Sequence, residues 1–175
     1  MFGKIKVHFW QTLDKCNFLP NENSIRVTIN RNESGNKLRT YCKLKDNFNC
    51  EGYLLKNGLD KVKVSPFIRL RISAHKLFIE EGRYKKIPAD QRLCPLCKIE
   101  VESEFHFLMS CVSFNSQRQV FFQDLNAIVP SFLLMNDISK FKFILSSKDY
   151  DLNDMCINFV NDLFEIRNKL LLHTT

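Results

Sequence analysis

The stretch LCPLCKIEVESEFHFLMSC, residues 93–111, carries the strongest chemical signal in the sequence. It supplies Cys94, Cys97, His106 and Cys111 with the spacing Cys-x2-Cys-x8-His-x4-Cys. Two cysteines separated by two residues place both sulfurs at one tight turn, and a histidine and a cysteine from the following segment can complete a tetrahedron. Thiolate and imidazole ligands suit zinc, and four protein ligands leave no open coordination position. The pattern therefore predicts one structural zinc ion.

Ordinary buried cysteines and a core histidine are the alternative interpretation of these four residues, but their number within 18 residues favours zinc. Seven cysteines, an odd number in a compartment that we expect to be reducing, argue against a disulfide framework and point to thiolate chemistry or a metal. Cys156 fits a helical seam as a small hydrophobic residue, and the others lack ligand partners. Glu100, Glu102 and Glu104 have no accompanying nucleophile or second metal, so we expect a solvated face or contacts to the zinc ligands and no enzymatic activity.

The composition fits a folded chain with an uneven charge distribution. The 175 residues are 45% hydrophobic, and the net charge is +7. Residues 1–88 hold 18 basic and 8 acidic side chains, whereas residues 89–175 hold 8 and 11, so the first half is expected to face a polyanion. The longest apolar stretch, Ile128 to Met135, is far too short for a membrane helix, and no secretory signal is recognisable. These features predict an intracellular protein, nuclear or cytoplasmic, without a membrane partner.

The periodicity of apolar residues predicts a mainly α fold of five to seven helices, with a small Cys3His zinc knuckle inserted in a helical domain. We divide the chain into an N-terminal helix and flexible linker (1–35), a basic helical part (36–88), the knuckle (89–112) and a C-terminal helical part (113–175). The expected helices are Lys4–Lys15, one from Asn36 to about Phe48, one from near Leu59 that resumes at Pro66 and ends by Gly82, Ser116–Ile128, a short one capped by Asp137, and one from Asp151 to about Leu172.

The last of these helices carries an apolar seam with a heptad-like spacing. Its members are Leu152, Cys156, Phe159, Leu163, Ile166 and Leu170. Because fewer than three heptads are present, packing within the chain is favoured over a homodimer through residues 151–172, which stays the alternative.

Basic residues cluster between positions 39 and 92, beside the predicted knuckle. Lysine and arginine neutralise phosphates, and Tyr84, which lies between two bases, could stack on an unpaired base. We expect Arg71 and His75 to share an exposed side of their helix with Arg69 and Lys76. The candidate nucleic-acid-binding residues are Arg39, Lys43, Arg69, Arg71, Lys76, Arg83, Tyr84, Lys85, Lys86 and Arg92.

Three stretches in order carry a family resemblance: KLRTYCKLKDNF (37–48), FIRLRISAHKLFIEEGRYKKIPADQRLCPLC (67–97) and ESEFHFLMSC (102–111). Together they resemble the region after the polymerase in animal non-LTR retrotransposon endonuclease/reverse transcriptase polyproteins, over roughly residues 36–123. The resemblance implies a zinc-binding, nucleic-acid-contacting appendage with the same four ligands.

The chain contains neither a polymerase palm nor an endonuclease domain, so polymerase activity is not expected and a separate reverse transcriptase is a candidate partner. The expected function is therefore sequence-independent binding of RNA or DNA through a basic helical surface. The alternatives are a zinc-stabilised protein-interaction module and a mobile-element fragment without a function.

Overall fold

The computed structural model describes residues 38–44, 60–147 and 149–173, and it is mainly helical as expected. The expected helix at Lys4–Lys15 lies outside these residues, as does the end of the helix from Asn36. The helices are α1 (Arg39–Leu44), α2 (Lys61–Arg71), α3 (Phe78–Tyr84), α4 (Asn115–Ile128), α5 (Asp137–Ser146) and α6 (Tyr150–Leu172), with 3-10 turns at Ala89–Gln91 and Val112–Phe114 and a π-turn at His106–Ser110. The one pairing of extended backbone within the described ranges is an isolated bridge between Leu93 and Val101.

The prediction of one helix continuing through Pro66 to Gly82 is wrong, because the chain turns at Ser73. Asp60 caps the start of α2, and Pro66 lies inside the helix. Ser73 has a φ of 54°, its N–H donates to the Leu70 carbonyl, and the next N–H donates to the Arg69 carbonyl. These two bonds form a Schellman motif, which ends a helix with one left-handed residue. Helix α3 therefore starts anew at Phe78.

Helices α4 and α5 confirm the predicted positions with small corrections. Helix α4 ends at Ile128, ahead of Pro130, as expected. The cap of α5 is Asn136, whose side chain accepts from the Ser139 N–H, and not Asp137. Ile128, the last residue of α4, is 56% exposed.

Helix α6 is the central helix of the core and packs most extensively on α2. It begins at Tyr150, one residue before the expected start at Asp151, and Asp149 is its cap. The seam residues Leu152, Cys156, Phe159 and Leu163 are buried in the chain's own core, which confirms packing within the chain. Ile166 is half-buried and Leu170 is 37% exposed, so the last part of the seam stays accessible.

The cysteine-rich segment shares the core of the helices. Cys94, Phe107, Leu108 and Cys111 belong to the same buried apolar cluster as residues of α2, α4, α5 and α6. The Phe107 ring lies against the rings of Phe114 and Phe164, which joins the π-turn to α6. None of the helices in the described ranges has the length and apolarity that a membrane span requires.

Candidate metal centre

Cys94, Cys97, His106 and Cys111 converge on one point. Their ligand atoms all lie within 4.8 Å of one another. The Sγ atoms of Cys94 and Cys111 are 3.9 Å apart, and the Cys97 Sγ is 3.3 Å from the His106 Nε2. Cys97 is half-buried and the other three are buried. The four residues predicted from the sequence therefore form a cluster that could hold a metal ion.

Local backbone geometry explains how each half of the cluster is positioned. In the first half, the Lys98 N–H donates to the Cys94 carbonyl, and Lys98 has a φ of 58°, which folds the two cysteines into one turn. In the second half, the Cys111 N–H donates to the His106 carbonyl across five residues, which is a π-type bond. Residues five apart on an α-helix lie about 140° apart around the axis, whereas the π-turn brings both side chains to one side.

Two partners orient the His106 ring. Its Nδ1 lies 2.8 Å from a Glu100 carboxylate oxygen and 3.1 Å from the Ser110 Oγ, and the Ser110 hydroxyl donates to the same Glu100 oxygen. A carboxylate beside Nδ1 keeps a proton on that nitrogen, so a metal ion would bind the electron pair of Nε2. Nε2 is the atom that faces the sulfurs. Glu100 therefore fits the expectation that a glutamate of this segment contacts a metal ligand.

The hydrogen bonds of the cluster favour a negative sulfur at Cys111 and a protonated sulfur at Cys94. The hydrogen bond with Cys111 raises the pKa of Cys94 to about 12, and the same bond lowers the pKa of Cys111 to about 7. Burial lowers the pKa of His106, but its hydrogen bonds with Cys94 and Glu100 outweigh burial and raise it to about 9. Cys156 lies elsewhere in the core, where burial raises the pKa of its thiol to about 12. Among the four cysteines that the structure describes, the three of the cluster are the ones with the surroundings of a ligand set.

Glu104 lies at the centre of a buried polar network next to the cluster. Its Oε1 accepts hydrogen bonds from Arg39 (2.7 Å) and from the Ser73 hydroxyl (2.9 Å), and it lies 2.8 Å from the His75 Nε2. Burial would raise the pKa of Glu104, but His75 and Arg39 hold it well below its usual range. Arg39 also pairs with Glu80. The prediction of a solvated face is wrong for Glu104, which is 3% exposed.

Glu102 is the anchor of a second buried ion pair, so the same prediction is wrong for it too. Arg167 of α6 donates to both of its carboxylate oxygens, at 2.7 and 2.8 Å. The Glu102 carboxylate also accepts from the Phe78 N–H at the start of α3. One carboxylate therefore joins the cysteine-rich segment to α3 and α6.

Arg92 attaches α3 to the same segment. Its guanidinium donates to the carbonyls of Ile79 and Ile87, which lie near the two ends of α3. The aliphatic part of the side chain crosses Gly82 so closely that a Cβ on Gly82 would lie 2.6 Å from the Arg92 Cγ. Arg92 precedes Cys94 by two residues, so the position of α3 depends on the cysteine-rich segment.

The basic residues proposed from the sequence fall into three groups. Arg71 and Arg92 are buried, and so is His75, so the prediction that Arg71 and His75 lie on an exposed side is wrong. Arg39 and Arg83 are partly exposed and form ion pairs with Glu80. The remaining candidates are exposed: Lys43, Arg69, Lys76, Tyr84, Lys85 and Lys86.

Two residues that the sequence analysis did not select are important here. Arg118 donates to the carbonyls of Leu108 and Cys111 and so fixes the end of the π-turn. Arg167 pairs with Glu102 across 65 residues of sequence. Neither arginine stands in a recognisable motif.

No protein-family model matches the chain, and no curated protein or solved structure is significantly similar to it.

Proposed function

We propose that the chain is a zinc-stabilised nucleic-acid-binding module that contacts the backbone of RNA or DNA through an exposed basic surface. The family resemblance in the sequence supports this proposal and implies an origin in a retrotransposon reverse transcriptase region. In this proposal the metal has a structural role, and nucleic-acid binding needs no catalytic residues.

Zinc is the metal that best fits the cluster. With Zn–S bonds of about 2.3 Å and Zn–N bonds of about 2.0–2.1 Å, a tetrahedron has S–S edges of about 3.8 Å and S–N edges of about 3.6 Å. The contacts of 3.9 Å between Cys94 and Cys111 and 3.3 Å between Cys97 and His106 are close to these edges. Three cysteines and one histidine would complete the coordination and exclude water, as in structural sites.

The exposed tip of α3 is the observation that carries the nucleic-acid proposal. Tyr84 is 77% exposed, although an aromatic ring normally packs. The Arg83 guanidinium lies 4.6 Å from the centre of its ring, and Lys85 and Lys86 follow, both exposed. An exposed ring among cations is the arrangement on which unpaired bases stack while phosphates are neutralised.

The metal would give this tip a fixed position. Arg92 binds the Ile79 carbonyl at the start of α3 and the Ile87 carbonyl three residues beyond its end, and it is two residues from Cys94. Ordering of the cysteine turn would therefore also order the helix that presents Tyr84. Arg69 and Lys76 add exposed positive charge from the preceding segment. Recognition by such a surface is expected to be largely independent of sequence and to weaken with salt.

Elemental analysis and salt-titrated binding test the proposal. We expect about one zinc per chain, lost in Cys97→Ser and His106→Ala. The probes are fluorescein-labelled U20, dT20 and a 20-base-pair duplex, and binding is measured by fluorescence anisotropy. We expect the single strands to bind more tightly than the duplex, and the logarithm of the binding constant to fall linearly with the logarithm of the salt concentration.

Variants at the tip of α3 locate the interface. Tyr84→Ala should weaken single-strand binding about five- to a hundredfold, whereas Tyr84→Phe keeps the stacking ring and most of the affinity. Lys85→Ala should weaken binding to all probes and reduce the salt slope by about one, and Lys142→Ala, at an exposed lysine of α5, is the matched control. No binding by the zinc-loaded chain at 50 mM salt, or equal losses in Lys85→Ala and Lys142→Ala, would contradict the proposal.

A further inference from the structure

Helices α4 and α6 form the two walls of an open groove with a volume of about 640 Å³. The α4 wall runs from Ser116 to Asp124 and the α6 wall from Met155 to Ile166. On each helix the lining residues recur at three- and four-residue steps, so each wall is a single helical face. At a rise of 1.5 Å per residue the α6 wall is about 17 Å long, which matches about three turns of another helix.

The floor of this groove is apolar. The rings of Phe121 and Phe159 stack there with their centres 3.9 Å apart and their planes 9° from parallel. Above them Val120 is 60% exposed, and Met155 and Ile166 are half-buried. The groove therefore leaves apolar surface in water that a second helix could cover.

The rim of the groove is acidic. Asp124, Asp162 and Glu165 are all exposed, and no lysine, arginine or histidine is among the described residues that line the groove. Arg118 of α4 is turned away from the groove, toward the carbonyls of Leu108 and Cys111. The rim thus carries negative side chains on both walls.

We propose that this groove binds a basic amphipathic helix of a separate polypeptide. Apolar side chains of such a helix, spaced i, i+3, i+4 and i+7, would lie on the phenylalanine floor. Its lysines or arginines would face the acidic rim, because charge complementarity fixes orientation and excludes acidic partners. This interaction is independent of the nucleic-acid surface, which lies on α3 and not on these two helices.

The basic helices of a second copy do not offer the required face within the described residues. The apolar side chains of α2, from Val64 to Leu70, are buried in the chain's own core. Helix α1 has only six residues, and its Arg39 is committed to Glu80 and Glu104. A separate polypeptide is therefore the favoured occupant.

A synthetic peptide tests the groove directly. The probe is a fluorescein-labelled 14-residue helix with leucines at i, i+3, i+4 and i+7 and lysines elsewhere, and its control carries glutamates in place of the lysines. Fluorescence anisotropy with the full chain should show saturable binding of the lysine peptide only. Absence of saturable binding, or equal binding of the glutamate peptide, would overturn the proposal.

Matched variants assign the binding to the groove. Asp162→Lys should weaken it about tenfold, and Val120→Ser about threefold. Asp90→Lys and Val62→Ser change the same residue types at exposed positions outside the groove and should leave binding unchanged. Equal weakening by the control variants would overturn the assignment.

Two further readouts identify other occupants. Trp10 is the only tryptophan of the chain, and a shift of its emission with the same midpoint as peptide binding would mean that the chain's own N-terminal segment is displaced. A dimeric mass in light scattering that Asp162→Lys converts to a monomer would assign the groove to a second copy. Either result would overturn a separate polypeptide as the occupant, whereas an unchanged emission and a monomeric mass support it.

Discussion

The cysteine-rich segment takes part in two buried polar centres of opposite character. In the Cys3His cluster, three sulfurs and one imidazole nitrogen converge, and no lysine or arginine is among the four residues. In the carboxylate network, Glu102 and Glu104 each receive arginine donors, so the negative charges are already neutralised. Buried charges are stable only when they are paired or bind a metal. The comparison indicates that the first centre needs an added cation to be complete and the second does not.

Removal of the metal has the largest expected effect, because the three cysteine sulfurs have no lysine or arginine as a counter-charge within the cluster. Structural zinc contributes about 10–16 kcal/mol in small metal-dependent folds, which equals or exceeds the net stability of most domains. We expect a strong chelator, or Cys97→Ser, to remove cooperative thermal unfolding monitored by circular dichroism at 222 nm. Cys156→Ala, at a buried cysteine outside the cluster, should keep both the metal and the transition. A metal-free chain with an unchanged Tm would refute the comparison.

Substitutions in the ion pair between Glu102 and Arg167 test the carboxylate network. Glu102→Gln leaves the buried Arg167 without its counter-charge and should cost about 3–5 kcal/mol of unfolding free energy, measured by urea denaturation. The double variant Glu102→Gln, Arg167→Met should recover much of this loss, since neither residue is then an unpaired charge. Zinc content should stay at one per chain in all variants. Loss of zinc in Glu102→Gln would show that the two centres are not independent.

Glu100 connects the two chemistries, because it is a carboxylate that contacts a candidate metal ligand. Glu100→Gln removes the negative acceptor at the His106 Nδ1 and should lower zinc affinity about 10- to 100-fold, measured by competition with a chromophoric chelator. Helical content of the zinc-loaded chain should not change, because Glu100 is exposed. Asp90→Asn, at another exposed acidic residue, is the control. Equal affinities in the two variants would exclude a role for Glu100 at the metal.

Sequence distance explains why only one of these centres could be predicted. The ligands from Cys94 to Cys111 lie within one short segment, so the Cys-x2-Cys spacing reveals them without knowledge of the fold. Glu102 pairs with Arg167, which is 65 residues away in the sequence, and Glu104 accepts a hydrogen bond from Ser73, which is 31 residues away. Such pairs depend on how the helices pack, which the spacing of residues does not encode. Glutamates at alternate positions look like a solvated face until those partners are known.

The helices show the same contrast between features that a short segment determines and features that depend on distant residues. The long apolar repeat of α6 predicted that helix within two residues, because many positions support one period. The end of α2 was missed, because a serine and not a glycine occupies the left-handed position of its Schellman motif. Likewise Arg71 was expected at the surface because charge suggests exposure, although it is 1% exposed in the core. Predictions from local sequence fail where a tertiary contact stabilises an unusual backbone conformation or an unusual side-chain environment.

Ser73 is the clearest such contact, and it gives the smallest of the expected effects. Its left-handed backbone is unfavourable for a residue with a Cβ, but its hydroxyl donates to Glu104, and its Oγ accepts from the Thr40 N–H. Ser73→Gly relieves the backbone and loses the hydroxyl, whereas Ser73→Ala loses the hydroxyl and keeps the strain. We expect Ser73→Ala to be less stable than Ser73→Gly by about 1 kcal/mol in urea denaturation, with zinc retained in both. If Ser73→Ala were the more stable variant, backbone strain would not be what the hydroxyl offsets, and the turn between α2 and α3 would need another explanation.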